Sequence, residues 1–235
     1  MCTCDIWVDS WATTSSALTS GPRVPRGSVK PLEFLAYDRV TLAVVGVLVL
    51  AAVVFVVASL GRKNVPTFVA TTPAPLEVGA AMFGPDTITV DATGEEGWRF
   101  FDFSSASVVE APGPMDWDLA FLRHRIVANG GAAFAGDGGL LELGGVEYGS
   151  VSEVPSSGYV GSPQLGDTTN AAIERWYDYN WTSHILEPRP TVWAVRTADG
   201  RYAKLRILGY YCPGPLAGCL TFEFVYQGGG GTDVR

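Results

Sequence analysis

Hydrophobic and polar positions divide the chain into two regimes. From Val40 to Leu60, VTLAVVGVLVLAAVVFVVASL, 21 residues pass without a charge, and the only hydroxyls are Thr41 and Ser59. Later the apolar positions alternate with polar ones in short runs: DTITVDA, GWRFFDFSSASVVE, WDLAFLRHRIVA, PTVWAVRTADGRYAKLRILGYY and CLTFEFVYQ. A period of two on β-branched and aromatic residues is the mark of strands. As a helix, the unbroken apolar run spans roughly 31 Å at about 1.5 Å per residue, which matches a bilayer's hydrocarbon core. The expected fold class is mainly β: an antiparallel, sandwich-like domain with one short helix, preceded by a single transmembrane α-helix.

The rest of the chain fits around these elements. Residues 1–30, rich in Ser, Thr, Pro and Gly, read as a cytoplasmic tail without a fold of its own, with Trp7 and Trp11 as exceptions. Residues 31–61 read as the membrane helix with a short extension: Pro31 suits a first helical position, and Phe34 and Tyr37 suit the interface. Gly61, Arg62 and Lys63 close that helix with the charge its dipole prefers. Residues 62–85 read as a Pro-rich linker, 86–227 as the β domain, and 228–235, GGGGTDVR, as a flexible tail. Within the domain, Asp199-Gly200 predicts a type I′ hairpin turn. The short helix is expected at TTNAAIERWYDY, capped by Thr169 or Asn170, with Ile173, Trp176 and Tyr177 inward. Asn129 to Gly149 reads as Gly-rich turn with a brief strand at Leu140 to Leu143.

The apolar run is too long for a signal peptide's h-region, and 39 residues precede it, so an uncleaved anchor is expected. No cysteine directly follows it, which disfavours a lipid anchor there. Arg23, Arg26, Lys30 and Arg39 precede the span; Arg62 and Lys63 follow it. That asymmetry places the N-terminus in the cytoplasm and the β domain in the periplasm of a bacterial inner membrane. Cys212 and Cys219, in CPGPLAGC, bracket a Pro/Gly loop between strand-like runs and are expected to form a disulfide, which persists outside the cytoplasm. Cys2 and Cys4 are too close for a comfortable bond, and two ligands alone make a weak metal site. From Asn64 onward there are 20 acidic and 10 basic residues, a poor surface for nucleic acid or anionic lipid. Without an ionisable residue, the span cannot relay protons or pass ions alone. Ala43 and Gly46, one turn apart, offer a narrow strip for close packing of another helix.

The densest candidate chemistry is MDWDLAFLRHRIVANGG, Met115 to Gly131. On a continuous strand, Asp118, Ala120, Leu122, His124 and Ile126 would share one face. His124 then reads either as a hydrogen-bonded histidine at the edge of the core or as an axial haem ligand partnered by His184 in WTSHILEPRP. Trp176, Tyr177, Tyr179 and Trp181 could line a porphyrin slot or simply belong to the core. Arg123 and Arg125 could clamp an anion, or pair with nearby carboxylates. Asp116 and Asp118 resemble paired carboxylates, but without a metal ligand set beside them Asp118 reads as fixing the start of a strand. The Gly-rich NGGAAFAGDGGLLELGG lacks the Lys-Ser/Thr of a phosphate loop, and no Gly-x-Ser-x-Gly or His-Glu-x-x-His appears. No enzyme is expected, and no resident metal.

At WDLAFLRHRIVANGG, RWYDY, VRTADGRYAKLRILGYYC and GCLTFEFVYQ the chain resembles the HmuY-like family of bacterial surface and periplasmic β proteins, from about Trp98 to Gln227. The resemblance implies an all-β domain. The best-known members of the family are haemophores that hold haem between two axial side chains, usually histidines; many others have no assigned ligand. The membrane helix departs from that pattern. The position just after WDLAF where a ligand is expected holds Leu122, with His124 two residues later.

The leading expectation is a non-catalytic, single-span accessory or assembly subunit of a larger membrane complex of photosynthetic or respiratory type. In it, the periplasmic HmuY-like domain makes protein–protein contacts, and no cofactor is required. The alternative is a membrane-tethered haem-binding protein using His124 and His184. A surface adhesion or scaffold module is a third.

Overall fold

The computed structural model describes residues 38–60 and 64–235. The expectations for the tail 1–30, for Pro31, Phe34 and Tyr37, for Cys2 and Cys4, and for the closing Gly61 to Lys63 lie outside these residues. The helix α1 runs Arg39–Leu60, and none of its side chains is buried. Its mean hydropathy reaches 3.1 over 18 residues, so by length and composition it can cross a membrane. A helix apolar on every face has no polar side to give to water.

The β domain contains eleven strands among the described residues: β1 (Met82–Asp91), β2 (Arg99–Asp102), β3 (Ser107–Val109), β4 (Leu119–Leu122), β5 (Arg125–Ala128), β6 (Gly139–Gly144), β7 (Tyr177–Asn180), β8 (Ile185–Pro188), β9 (Val192–Arg196), β10 (Tyr202–Cys212) and β11 (Leu216–Gln227). One sheet has the order β1-β11-β10-β9-β6, a second β3-β2-β4-β5, and β7 pairs with β8 alone. Every strand pairing is antiparallel.

The period of two on β11 explains the core. Leu220, Phe222, Phe224 and Tyr226 are buried on one face, where Phe222 meets Phe101 at 5.2 Å and Phe121 at 5.6 Å from the opposing sheet. Phe103 sits 5.3 Å from Phe224. The other face of the larger sheet is covered as well. Val192, Ala194, Tyr202 and Val225 pack there with Tyr148, Val154 and Val234. Burial on both faces accounts for the almost continuous apolar run of β9. Lys204 is buried in this second layer, where its ammonium donates to the carbonyls of Val151 (2.6 Å) and Tyr148 (3.3 Å) and lies 4.8 Å from the Tyr148 ring centre.

Several expectations need correction. The run WDLAFLRHRIVA is a hairpin, because β4 and β5 pair with each other from Leu119↔Ala128 to Leu122↔Arg125. The helix expected at TTNAAIERWYDY does not form. Asn170 instead holds a turn, its side-chain oxygen accepting the Ala172 N–H at 2.9 Å, and Ile173 and Trp176 do point inward. The chain there makes only turns before Tyr177 opens β7. Trp176 accepts the Arg189 N–H on its carbonyl, so hairpin pairing captures the backbone that a helix would need. At Asp199-Gly200 only the glycine has positive φ, 81°. The Gly200 N–H donates to Thr197 and the Thr197 N–H to Arg201, the pattern of a type I turn with a glycine bulge rather than type I′.

Both flanks of the domain are docked rather than loose. Phe68 donates its N–H to Tyr211 (2.8 Å) and lays its ring over Gly209, where a Cβ would meet it at 2.2 Å. Thr71 and Leu76 donate to Thr89 and Ser105, so much of the expected linker lines the domain, and β1 begins at Met82. In the final segment Val234 is fully buried and its N–H donates to Ser152. The expected Cys212–Cys219 disulfide is present, with Cα atoms 5.0 Å apart. It closes a small ring between β10 and β11 and contributes roughly 2–3 kcal/mol in the chain-entropy model.

Candidate functional site

One end of the β domain gathers the chemistry. The β4–β5 hairpin turns there through two residues, Arg123 and His124, without glycine or asparagine. Arg123 takes φ +56°, uncommon for a residue with a long side chain. It is held by its own bonds. The N–H donates to Ala92 (3.1 Å), and the guanidinium donates to the carbonyls of Thr93 (2.8 Å) and Ala217 (3.2 Å). The Arg123 side chain therefore ties the hairpin to β11 instead of clamping an anion. Arg125 pairs with Asp167 at 3.0 Å.

His124 is exposed at this tip, not flanked on a strand face as the alternation suggests. Its carbonyl accepts the indole N–H of fully buried Trp176 at 2.9 Å, and its ring stands edge-on to Tyr177 at 5.9 Å. The ring is partly shielded from water. That desolvation, then the charges of Arg125 and Arg123, hold its pKa below the usual histidine value.

His184 arrives from the β7–β8 hairpin. The Asn180 side-chain oxygen accepts the N–H groups of Thr182 (3.0 Å) and Ser183 (3.2 Å), which shapes the turn and leaves His184 at φ +57°. Its Nδ1 is hydrogen-bonded to the Tyr179 hydroxyl. The hairpin is fastened to β10 by the Leu186 N–H, which donates to the Tyr211 hydroxyl at 2.9 Å.

His124 and His184 line the same cavity, with Arg123, Arg125, Tyr210 and Tyr211. Of the aromatic residues expected as walls, Trp176 is core, Tyr177 packs on His124, Tyr179 holds His184, and Trp181 points into solvent at 76% exposure. Tyr210 and Tyr211 escape a reading by sequence; the doublet before Cys212 is the signal that could have found them. Burial pushes the Tyr210 hydroxyl up to about 12.

The remaining candidates are elsewhere. Asp118 is buried, and its carboxylate accepts the N–H groups of Ala198 (2.7 Å) and Phe103 (2.9 Å), while Asp116 accepts the Gly113 N–H in an exposed loop. The two do not form a pair. Among the described residues, no group of three or more His, Cys, Asp or Glu is placed to hold a metal ion.

No protein-family model matches this chain, and neither does any curated protein. Solved structures similar to it include the apo HmuY analog of Tannerella forsythia, at 17% identity, covering 60% of this chain and 95% of that one with a TM-score of 0.48. A Bacteroides vulgatus protein named HmuY-like and heme-binding is 20% identical over 66% of this chain and 97% of that one, TM-score 0.49. Apo PinO from Porphyromonas gingivitis is 15% identical over 60% and 97%, TM-score 0.46. Two of the three carry the HmuY name, the family that the motifs from Trp98 to Gln227 resemble.

Proposed function

We propose that this chain is a membrane-anchored extracytoplasmic binding module whose β domain takes up haem between His124 and His184. The supporting observation is that these histidines, from two different hairpins, line one cavity beside Tyr210 and Tyr211. The residues suit the group. A lowered pKa keeps the His124 imidazole neutral, the form that binds iron. In the tautomer that donates Nδ1–H to the Tyr179 oxygen, His184 keeps the Nε2 lone pair free, with its ring orientation held. Haem would supply the iron chemistry; the chain supplies two imidazoles, an aromatic wall and fixed hairpins.

Titration of the full chain in detergent with haemin tests this. A sharp Soret band saturating at one haemin per chain is expected, changed in position by His124→Ala or His184→Ala. Tyr179→Phe should weaken binding about tenfold, since it removes only the orienting partner. Absence of a saturable band rejects the reading.

A second reading, an accessory subunit of a larger membrane complex, rests on α1. Ala43 and Gly46 lie about one turn apart on it, a strip of small residues along an apolar helix. That strip accepts a neighbouring helix. Gentle detergent extraction from native membranes followed by native mass spectrometry is expected to find the chain within a larger assembly. A chain that runs alone would end this reading.

A further inference from the structure

We infer that the end of the β domain carrying Trp181 and Leu216 rests on the lipid headgroup surface of the bilayer that holds α1. The inference depends on the reading of α1 as a membrane anchor and adds an orientation to it. Chain length is the first ground. The helix ends at Leu60, yet Val65 already packs against the β core and Thr67 pairs with Tyr211. Five residues at about 3.5 Å each reach at most roughly 18 Å, so the attachment point stays near the membrane. Tyr211 stands at the far end of β10 from Tyr202. With about 3.3 Å per residue along that strand, the Thr197–Arg201 turn lies roughly 30 Å away.

The second ground is what surrounds the attachment. Trp181 is 76% exposed at the tip of the β7–β8 hairpin, Leu216 is 57% exposed in the disulfide loop, and Tyr179 is 54% exposed. Their neighbours Thr182, Ser183, Pro215 and Ala217 rim the same cavity as Val65 and Thr67. The protruding apolar groups therefore ring the point where the chain arrives. An indole in water leaves its apolar body unburied, whereas at the headgroup level both the ring and its N–H find partners. The disulfide holds the Leu216 loop in a small closed ring, so ordering it on lipid costs little further entropy.

The test uses the full chain in phosphatidylcholine nanodiscs with a nitroxide on the lipid headgroup. The emission difference between the natural chain and Trp181→Phe isolates Trp181. That emission should fall clearly when the nitroxide lipid is present, because an indole at the headgroup level lies beside the quencher. A tryptophan introduced by Gly231→Trp in the Trp181→Phe background sits at the opposite end in open space and should keep its emission. Unquenched Trp181 emission in a chain that survives a carbonate wash overturns the orientation and leaves the anchor intact. Equal quenching at both positions also overturns it. Loss of the chain from the membrane in the wash overturns the anchor and the orientation together.

Discussion

Asp118→Ala should destabilise the β domain by about 4 kcal/mol, because it orphans two buried backbone donors at about 1–3 kcal/mol each. Those donors belong to different layers. The Phe103 N–H follows β2 and the Ala198 N–H lies in the β9–β10 turn, so one carboxylate bridges the two sheets. The Asp118 backbone adds to the junction: its N–H donates to Phe101 and its carbonyl accepts from Asn129. A loss of this size is a large share of the stability of an ordinary domain. Urea unfolding of the full chain in detergent, followed by tryptophan emission, would reveal it. A midpoint within error of the natural chain would contradict the assignment.

The same residue sets a pH dependence. Burial pushes the Asp118 carboxyl up to about 8, against the two N–H donors that favour its ionised form. An unfolded aspartate titrates near about 3.9, so the folded state holds the proton more tightly. The associated stability is fully present below the unfolded pKa and is lost as pH rises through the folded one. Unfolding midpoints should therefore fall between about pH 4 and pH 8. Asp118→Asn removes the titration and should flatten that slope, while lowering stability throughout, because its amide N–H₂ faces a backbone donor.

Gly130→Ala is expected to prevent folding of the domain. A Cβ at Gly130 would lie 1.8 Å from the Gly138 carbonyl oxygen and 2.5 Å from that residue's carbon and nitrogen, all of them backbone. No side chain can swing aside to relieve the clash. The surrounding backbone is pinned: Gly138 donates to Asn129, and the buried Asn129 side chain donates to the carbonyls of Trp117 (2.8 Å) and Pro114 (2.9 Å). Gly145→Ala is the matched control. Its Cβ would meet only the Pro190 oxygen at 3.5 Å, an ordinary contact, so a change within about 0.5 kcal/mol is expected. Soluble or membrane-inserted Gly130→Ala chain with natural tryptophan emission and a cooperative transition would refute the prediction.

In the Gly-rich stretch the glycines are needed for contact between backbones that the sequence does not announce: a Cβ at Gly130 would meet Gly138, and one at Gly131 would meet Ser162. Similarly, Arg123-His124 has no turn residue to announce it. The apolar alternation on either side of RHR suggests one strand running across it, whereas the chain turns there, with Arg123 held by the carbonyls of Thr93 and Ala217 from separate segments. The expected helix before Tyr177 failed for a related reason. Ile173 and Trp176 do point inward, while the Arg189 N–H on the Trp176 carbonyl commits the backbone there to the hairpin.

By itself the sequence determined the apolar helix, the antiparallel β class and the Cys212–Cys219 bond. Each of these follows from local periodicity or from a short loop, where neighbouring residues carry the energy. Tertiary structure alone decided that His124 and His184 share a cavity, that Asp118 joins two sheets and that both flanks dock. Those outcomes depend on which distant backbone groups satisfy one another, and hydrogen-bond pairing of that range leaves no periodic trace along the chain.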